Sequence, residues 1–371
     1  MYIDEFGVHF SDDKKKLIGC PRDFLGEYII PDSVTEIGWG VFYGCTGLTS
    51  PLYNAHIFAY MPKSYSGAYT IPDGIESIAA GAFRDCSGLT SIIIPNSVTE
   101  IGKGAFEGCI GLTSINIPDS VTSIGDRAFE DCSALTSIHL PDSVTNIEGW
   151  AFSGCSGLTS PLYKADTFFF LPPSYSGAYA IPDGIEYIAV GAFSGCSGLT
   201  SIVIPDSVTE IGIGAFSGCF ALTSINIPDS VTEIGIGAFS GCSALTSINI
   251  PNFITWIGEE VFSGCSSLTS INIPDSVTSI GDNAFRNCTG LTSIIIPDSV
   301  EYIGGWAFSA CSSLTSVIIS NSVTVIDRGA FSDCNNLEEI IVPKGTKVFF
   351  MIKFKEATIE QNIIDCIRET K

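Results

Sequence analysis

Apolar letters recur along this chain with a period of 23 residues, rather than the about 3.6 of a surface helix or the 2 of a lone strand. The unit is LTSIxIPxSVTxIGxxAFxxCxx, and near-identical copies follow one another, as in IPDSVTEIGIGAFSGCSALTSIN at 227–249. Positions are counted from its leucine. The leucine at 1 and the isoleucines at 4 and 6 predict a short strand with its branched side chains turned inward, as at Leu222, Ile225 and Ile227. Pro228 ends that strand, because proline has no N–H for the ladder. PDS and PNS are turn letters. Val231 and Ile234 predict a second short extended piece, broken by Gly235. The AFxxC that follows predicts a short helical turn folding Ala238, Phe239 and Cys242 back onto the strand. One unit cannot bury this stripe alone. Stacked units can, with equal letters in ladders about 4.8 Å apart.

The cysteines at position 21 set the register: Cys45, Cys86, Cys109, Cys132, Cys155, Cys196, Cys219, Cys242, Cys265, Cys288, Cys311 and Cys334. Their spacing is 23 except for two steps of 41, each holding 18 extra residues. The extras lie in PLYNAHIFAYMPKSYSGAYTIP (51–72) and PLYKADTFFFLPPSYSGAYAIP (161–182), which are 110 residues apart, so a block of several units has itself been copied. No CxxC cluster offers a metal site. One thiol per coil instead predicts a reduced, buried column of small apolar groups. Cys20 and Cys366 stand outside that column and are the expected reactive thiols.

The unit IPDSVTEIGxGAFSGCSxLTSI resembles the BspA-like leucine-rich repeat family, from about residue 7 to residue 350. The resemblance implies a leucine-rich repeat solenoid that is curved, with one parallel β-strand per coil on its concave face and short extended and helical-turn segments on its convex side. Residues 1–30, with GVHFSDDKKKLIGCPRDFLGEYIIP, look like that family's opening segment. Residues 31–342 are then tandem repeats, with shortened extra coils at 51–71 and 161–181 that echo Gly26, Tyr28 and Pro31. Residues 343–371 look like a terminal cap with an amphipathic helix. The family occurs on surfaces of bacteria and some protists, where several members act in adhesion. The opening MYIDEFGVHFSDDKKK does not have the form of a signal peptide. A cell-surface or secreted location is therefore implied by resemblance only; residence inside the cell, unconventional export and a missing leader stay open.

Charge narrows the partner. The net charge is −23, and no Lys or Arg stands between Lys164 and Arg286, which argues against nucleic acid and against docking on an anionic membrane. No apolar run is long enough for a transmembrane helix. With strand positions 3 and 5 outward, a serine row lies beside a row of variable letters. The latter includes Ile29, Leu52, Asn116, His139, Leu162, Asn226, Asn249 and Asn272. Asn116, His139, Asn226, Asn249 and Asn272 are the candidate binding residues of the concave face. They suit a weakly charged protein, or a glycan that uses the amides as donors and acceptors. The consecutive asparagines could equally form a stacked amide ladder with no ligand. Trp39, Trp150, Trp256 and Trp306 sit at variable, outward positions and are candidate interface aromatics, although isolated exposed aromatics are ordinary. The acid column at position 8, with Asp32, Asp119, Asp206, Asp229 and Asp275, makes a row rather than a calcium cage. The three histidines, His9, His56 and His139, match no catalytic motif. The expectation is a non-enzymatic binding or adhesion module without metal or cofactor. The alternatives are an assembly protein packing through its apolar and hydroxyl columns, and an ice or glycan binder using the threonines at positions 2 and 11.

Overall fold

A computed structural model describes residues 1–320, 322–342, 349–350 and 367–369. The chain divides into two compact units, Met1–Pro161 and Leu162–Lys371. In each, the repeat builds a parallel β-solenoid, and the described residues contain no helix.

Two strands form per coil because two short segments carry inward branched side chains. Positions 3 to 5 make the first row, and positions 12 and 13 the second. In the first unit the first row runs Ser66–Thr70, Gly88–Ile93, Ser114–Asn116, Ser137–His139. The second runs Ile57–Tyr60, Ser77–Ile78, Glu100–Ile101, Ser123–Ile124, Asn146–Ile147. Pairing is parallel and joins equal repeat positions, so Ile115 faces Ile92 and Ile138, and Ile101 faces Ile78 and Ile124. The start differs. Tyr2–Ile3, His9–Phe10 and Lys16–Gly19 pair antiparallel, and only the last joins Glu36–Ile37 in parallel.

Each 18-residue extra supplies one strand to each row, entered through a hairpin. Leu52–Tyr53 pairs antiparallel with Ile57–Tyr60 before the chain reaches Ser66–Thr70. Leu162–Lys164, Thr167–Phe170 and Ser176–Ala180 repeat this in the second unit. The hairpin corrects one expectation. Leu52 is buried and Leu162 half-buried beside the second row, so neither stands on the outer face of the first.

The AFxxC segment is not helical, and its backbone explains why. Positions 16 and 20 hold left-handed φ in coil after coil, as at Gly104 (57°), Gly108 (73°), Arg127 (58°) and Asp131 (59°). Alternate N–H groups then point in different directions. Ala105, Glu107 and Cys109 donate within the turn, to Gly102, Gly104 and Phe106. Gly104, Phe106 and Gly108 donate to Asp126, Ala128 and Glu130 of the next coil. The turns thus form a third ladder between coils, which an α-helix, with every N–H bonded along its own axis, could not supply. The amphipathic helix expected within 343–371 falls outside the described residues; of that segment only the strands Phe349–Phe350 and Ile367–Glu369 are described.

Inside, equal letters stack as expected. Phe83, Phe106 and Phe129 lie ring on ring at 5.0 and 5.3 Å, and Phe193, Phe216 and Phe239 at 4.8 and 5.3 Å. Such centroid distances belong to favourable offset stacks. The column thiols from Cys45 to Cys311 are buried and free. In the regular coils each points its Sγ at a phenylalanine carbonyl of an earlier coil, as Cys242 does to Phe216 O at 3.2 Å, while Cys45, Cys86 and Cys196 point at other carbonyls.

The second unit contains a break in this order. Its first row runs from Ser176–Ala180 to Ser247–Ile248 and resumes only at Ser293–Ile295. Its second row stops at Glu233–Ile234 and restarts at Trp256–Ile257. The coil between carries PNFITW where its neighbours carry PDSVTE or PDSVTS. In four coils the serine at position 9 donates to the preceding coil, as Ser230 does to Val208 O (2.7 Å) and Ser276 to Ile254 O (2.6 Å). Phe253 stands there instead and has no such donor. The turn ladder continues across the break: Gly237, Phe239 and Gly241 donate to Glu259, Val261 and Ser263.

Candidate binding surface

The outer face of the first row consists of positions 3 and 5. Parallel pairing in register brings equal positions side by side: Thr70, Ile93, Asn116 and His139 in the first unit, Ala180 and Val203 in the second. All six are exposed. Ile93 is 63% exposed and Val203 64%, high values for aliphatic side chains on a regular strand. Ile295 stands 64% exposed in the later sheet, opposite Ile318.

The asparagines do not share one role. Asn226 and Asn272 are exposed, but Asn272 lies in the coil where the first row is interrupted. Asn249 turns back on its own fold. Its Oδ1 accepts from Ile227 N at 2.8 Å, and its Nδ2 donates to Ile227 O at 2.7 Å. In three other coils the N–H at position 6 reaches a backbone carbonyl of the next coil, from Ile71 to Ile93 O, Ile181 to Val203 O and Ile296 to Ile318 O. Asn249 substitutes its side chain for that carbonyl where the strand ends early. Its amide is therefore spent on the scaffold, and among the described residues no bond joins one asparagine of the set to another.

The threonine columns are committed in the same way. At position 2, Thr223 and Thr246 donate their hydroxyls to the carbonyls of Thr200 and Thr223 at 3.3 and 3.1 Å. At position 11, Thr122 and Thr232 bond Thr99 and Thr209. These donors already serve the stack, which removes the basis for reading them as a lattice-matching array.

The tryptophans scatter. Trp39 is exposed in the turn after Glu36–Ile37, and Trp256 is exposed on the second row. Trp150 and Trp306 occupy the left-handed position 16, with φ 59° and 53°, where glycine is usual; Trp150 is half-buried and Trp306 exposed. Among the described residues, only Trp39 and Trp306 of the four have cations over their rings, Arg84 at 5.7 Å and Arg328 at 6.0 Å.

Most of the thiols are chemically quiet; Cys334 differs, being half-buried and lowered by its hydrogen bond with Cys311. Burial pushes Cys86, Cys132, Cys196, Cys242 and Cys288 up to about 12. Cys20, expected to be reactive, is also raised to about 12, by burial and then by Cys45. It is held as the thiol, and the thiolate is the nucleophile. Cys366 lies outside the described residues. Among the described residues, no group of three His, Cys, Asp or Glu side chains converges.

These features define a leucine-rich repeat solenoid. The BspA type leucine rich repeat region, in six copies, matches residues 22–56, 54–169, 175–289 and 255–367, and the chain belongs to that family. Among solved structures, a leucine-rich repeat protein from Eubacterium ventriosum is similar at 24% identity and TM-score 0.64, over 76% of this chain and 89% of that one. The pneumococcal vaccine antigen PcpA is similar at 17% identity and TM-score 0.53, over 85% and 90%. A leucine rich cell surface protein from Faecalibacterium prausnitzii shares 32% identity at TM-score 0.45, over 76% and 88%. No curated protein matches the chain at a significant level.

Proposed function

We propose that the protein is a non-enzymatic binding module of the adhesion type, whose outer first-row face takes an extended, weakly charged protein segment. One observation carries this reading. Ile93 and Val203 are nearly two-thirds exposed at positions where stacking demands nothing, beside polar Asn116 and Asn226. Exposed aliphatic groups interleaved with uncharged polar ones suit a neutral partner. Basic residues are scarce on this face, and a phosphate backbone would need them.

The test uses the full chain immobilised against solubilised cell-surface extracts, with captured proteins identified by mass spectrometry. Two variants are compared with it, Ile93→Lys/Asn116→Lys and Val203→Lys/Asn226→Lys. Exposed substitutions of this kind shift stability by about 0.5 kcal/mol or less each. Both variants should therefore melt normally, and at least one should lose a protein that the native chain captures. Identical capture by all three chains would defeat the reading. The second reading, lateral assembly, rests on the same exposed aliphatic groups. Light scattering separates them: a strict monomer at high concentration speaks against assembly.

A further inference from the structure

The copied block supplies its own control for which residues the fold needs. Positions 39, 43, 63 and 84 of the first copy correspond, 110 residues on, to Gly149, Ser153, Pro173 and Ser194. The second copy builds the same coils and the same hairpin with those small or neutral residues. In the first copy they are Trp39, Tyr43, Lys63 and Arg84, and the fold brings all four together. Arg84 stacks over both rings, at 5.7 Å from Trp39 and 5.5 Å from Tyr43, and the Lys63 ammonium lies 4.9 Å from the Tyr43 centroid.

Trp39, Tyr43 and Arg84 border a cleft of about 480 Å³, lined also by Ile18, Arg22 and Val41 among others. The volume is in the range of small-molecule sites. No carboxylate lines it, although the chain has 40 acidic residues against 17 basic ones. Glu107 holds Arg84 Nη2 at 2.6 Å and Asp85 holds Lys63 at 2.6 Å. Arg22 is exposed and makes no ion pair among the described residues. The Arg84 Nε–H is shielded from solvent and has no acceptor among the described residues, so it serves to hold the guanidinium against the rings rather than to meet a ligand. Trp39 and Tyr43 are 61% and 56% exposed.

We infer that this cleft binds the carboxylate of an acidic sugar residue. Arg22, exposed and without an ion pair among the described residues, takes the carboxylate, and the exposed parts of the two rings take the apolar face of the pyranose. A guanidinium presents paired donors that match a carboxylate. One unneutralised cation suits one negative charge. The wide ring faces suit a flat, C–H-rich ligand better than a flexible acidic peptide, whose several charges would meet repulsion from a chain of net charge −23.

The experiment titrates the full chain by calorimetry with the methyl α-glycoside of N-acetylneuraminic acid and with methyl β-glucuronide. Methyl β-glucoside and acetyl-triglutamate serve as controls. Either acidic sugar should bind with an affinity at least tenfold above that of the neutral sugar, and weaken as salt rises. A chain carrying the second copy's residues, Trp39→Gly, Tyr43→Ser, Lys63→Pro and Arg84→Ser, should melt like the native protein and lose at least tenfold in affinity. If it melts early, Arg22→Ala alone decides, since that side chain is exposed; it too should lose tenfold. The inference is overturned if neither acidic sugar binds, if the neutral sugar binds equally, if only the peptide binds, or if the folded variants bind like the native chain. None of the lining residues belongs to the first row, so the outcome is independent of the adhesion reading.

Discussion

Identical letters do unlike work in this molecule, and the asparagines of position 5 show it. Asn226 and Asn249 are one repeat apart in nearly the same sequence, yet only Asn249 grips the backbone of Ile227. Removing its amide leaves a donor and an acceptor of a buried residue unpaired, each worth about 1 to 3 kcal/mol when fully desolvated. Partial access of water at this strand end lowers that cost. Asn249→Ala should destabilise by about 1 to 2 kcal/mol, and Asn226→Ala by less than about 0.5 kcal/mol. Chemical denaturation of the two variants checks this, and equal midpoints would refute the clamp. No reading of the letters alone distinguishes the pair, because the difference lies in where the neighbouring strand ends. The cluster of Trp39, Tyr43, Lys63 and Arg84 was within reach of the sequence, through comparison of the two copied blocks position by position. It is hidden when each residue is viewed in its own repeat, where all four occupy variable positions.

At the scale of the element, both strand rows were legible. Leu222, Ile225 and Ile227, then Val231 and Ile234, have the spacing that inward branched side chains require, and all five are buried. The turn was not. Phe239 and Cys242 are three residues apart, a spacing that fits one turn of helix as well as a chain of reverse turns. Glycines at positions 16 and 20, such as Gly237 (61°) and Gly241 (75°), carried the deciding signal. They mark the left-handed backbone that a helix excludes. The interrupted coil gives a prediction at this scale. Thr232 and Gly235 donate to Thr209 and Ile211, and Thr278 and Gly281 to Thr255 and Ile257. No corresponding bond ties Thr255 to Thr232 or Gly258 to Ile234. In native-state hydrogen exchange, the amides of Thr255 and Gly258 should exchange well before those four. Uniform protection across residues 232–281 would show that the break is not a weak point.

At the scale of the whole chain, the thiol column makes stability depend on alkali. A buried thiol held near 12 keeps its proton in the folded state, whereas in the unfolded chain it titrates at its ordinary value of 9.0. Above that value the unfolded state binds fewer protons than the folded one, so stability falls as pH rises. Below 9.0 the contribution is fully present, and it is lost progressively up to about 12. Many thiols act together, and Tyr69 and Tyr179, also pushed to about 12 by burial, act in the same direction. The melting temperature, measured with reductant present, should be steady between pH 6 and 8 and drop steeply above pH 9 to 10. A flat profile to pH 10.5 would mean that the thiols are not sealed.

The interrupted coil has a mechanical meaning too. A load drawn along the second unit would be shared, at most junctions, by two strand ladders and a turn ladder. Between Ile234 and Ile257 no strand ladder carries it; what remains is the turns, the bonds from Cys265, Ser266 and Ser267 to Phe239 and Ser243, and the stacked rings Phe239 and Phe262, 5.8 Å apart. The second unit, pulled along its stack, would yield first at that junction, paying out length there while its coils on either side stay wound.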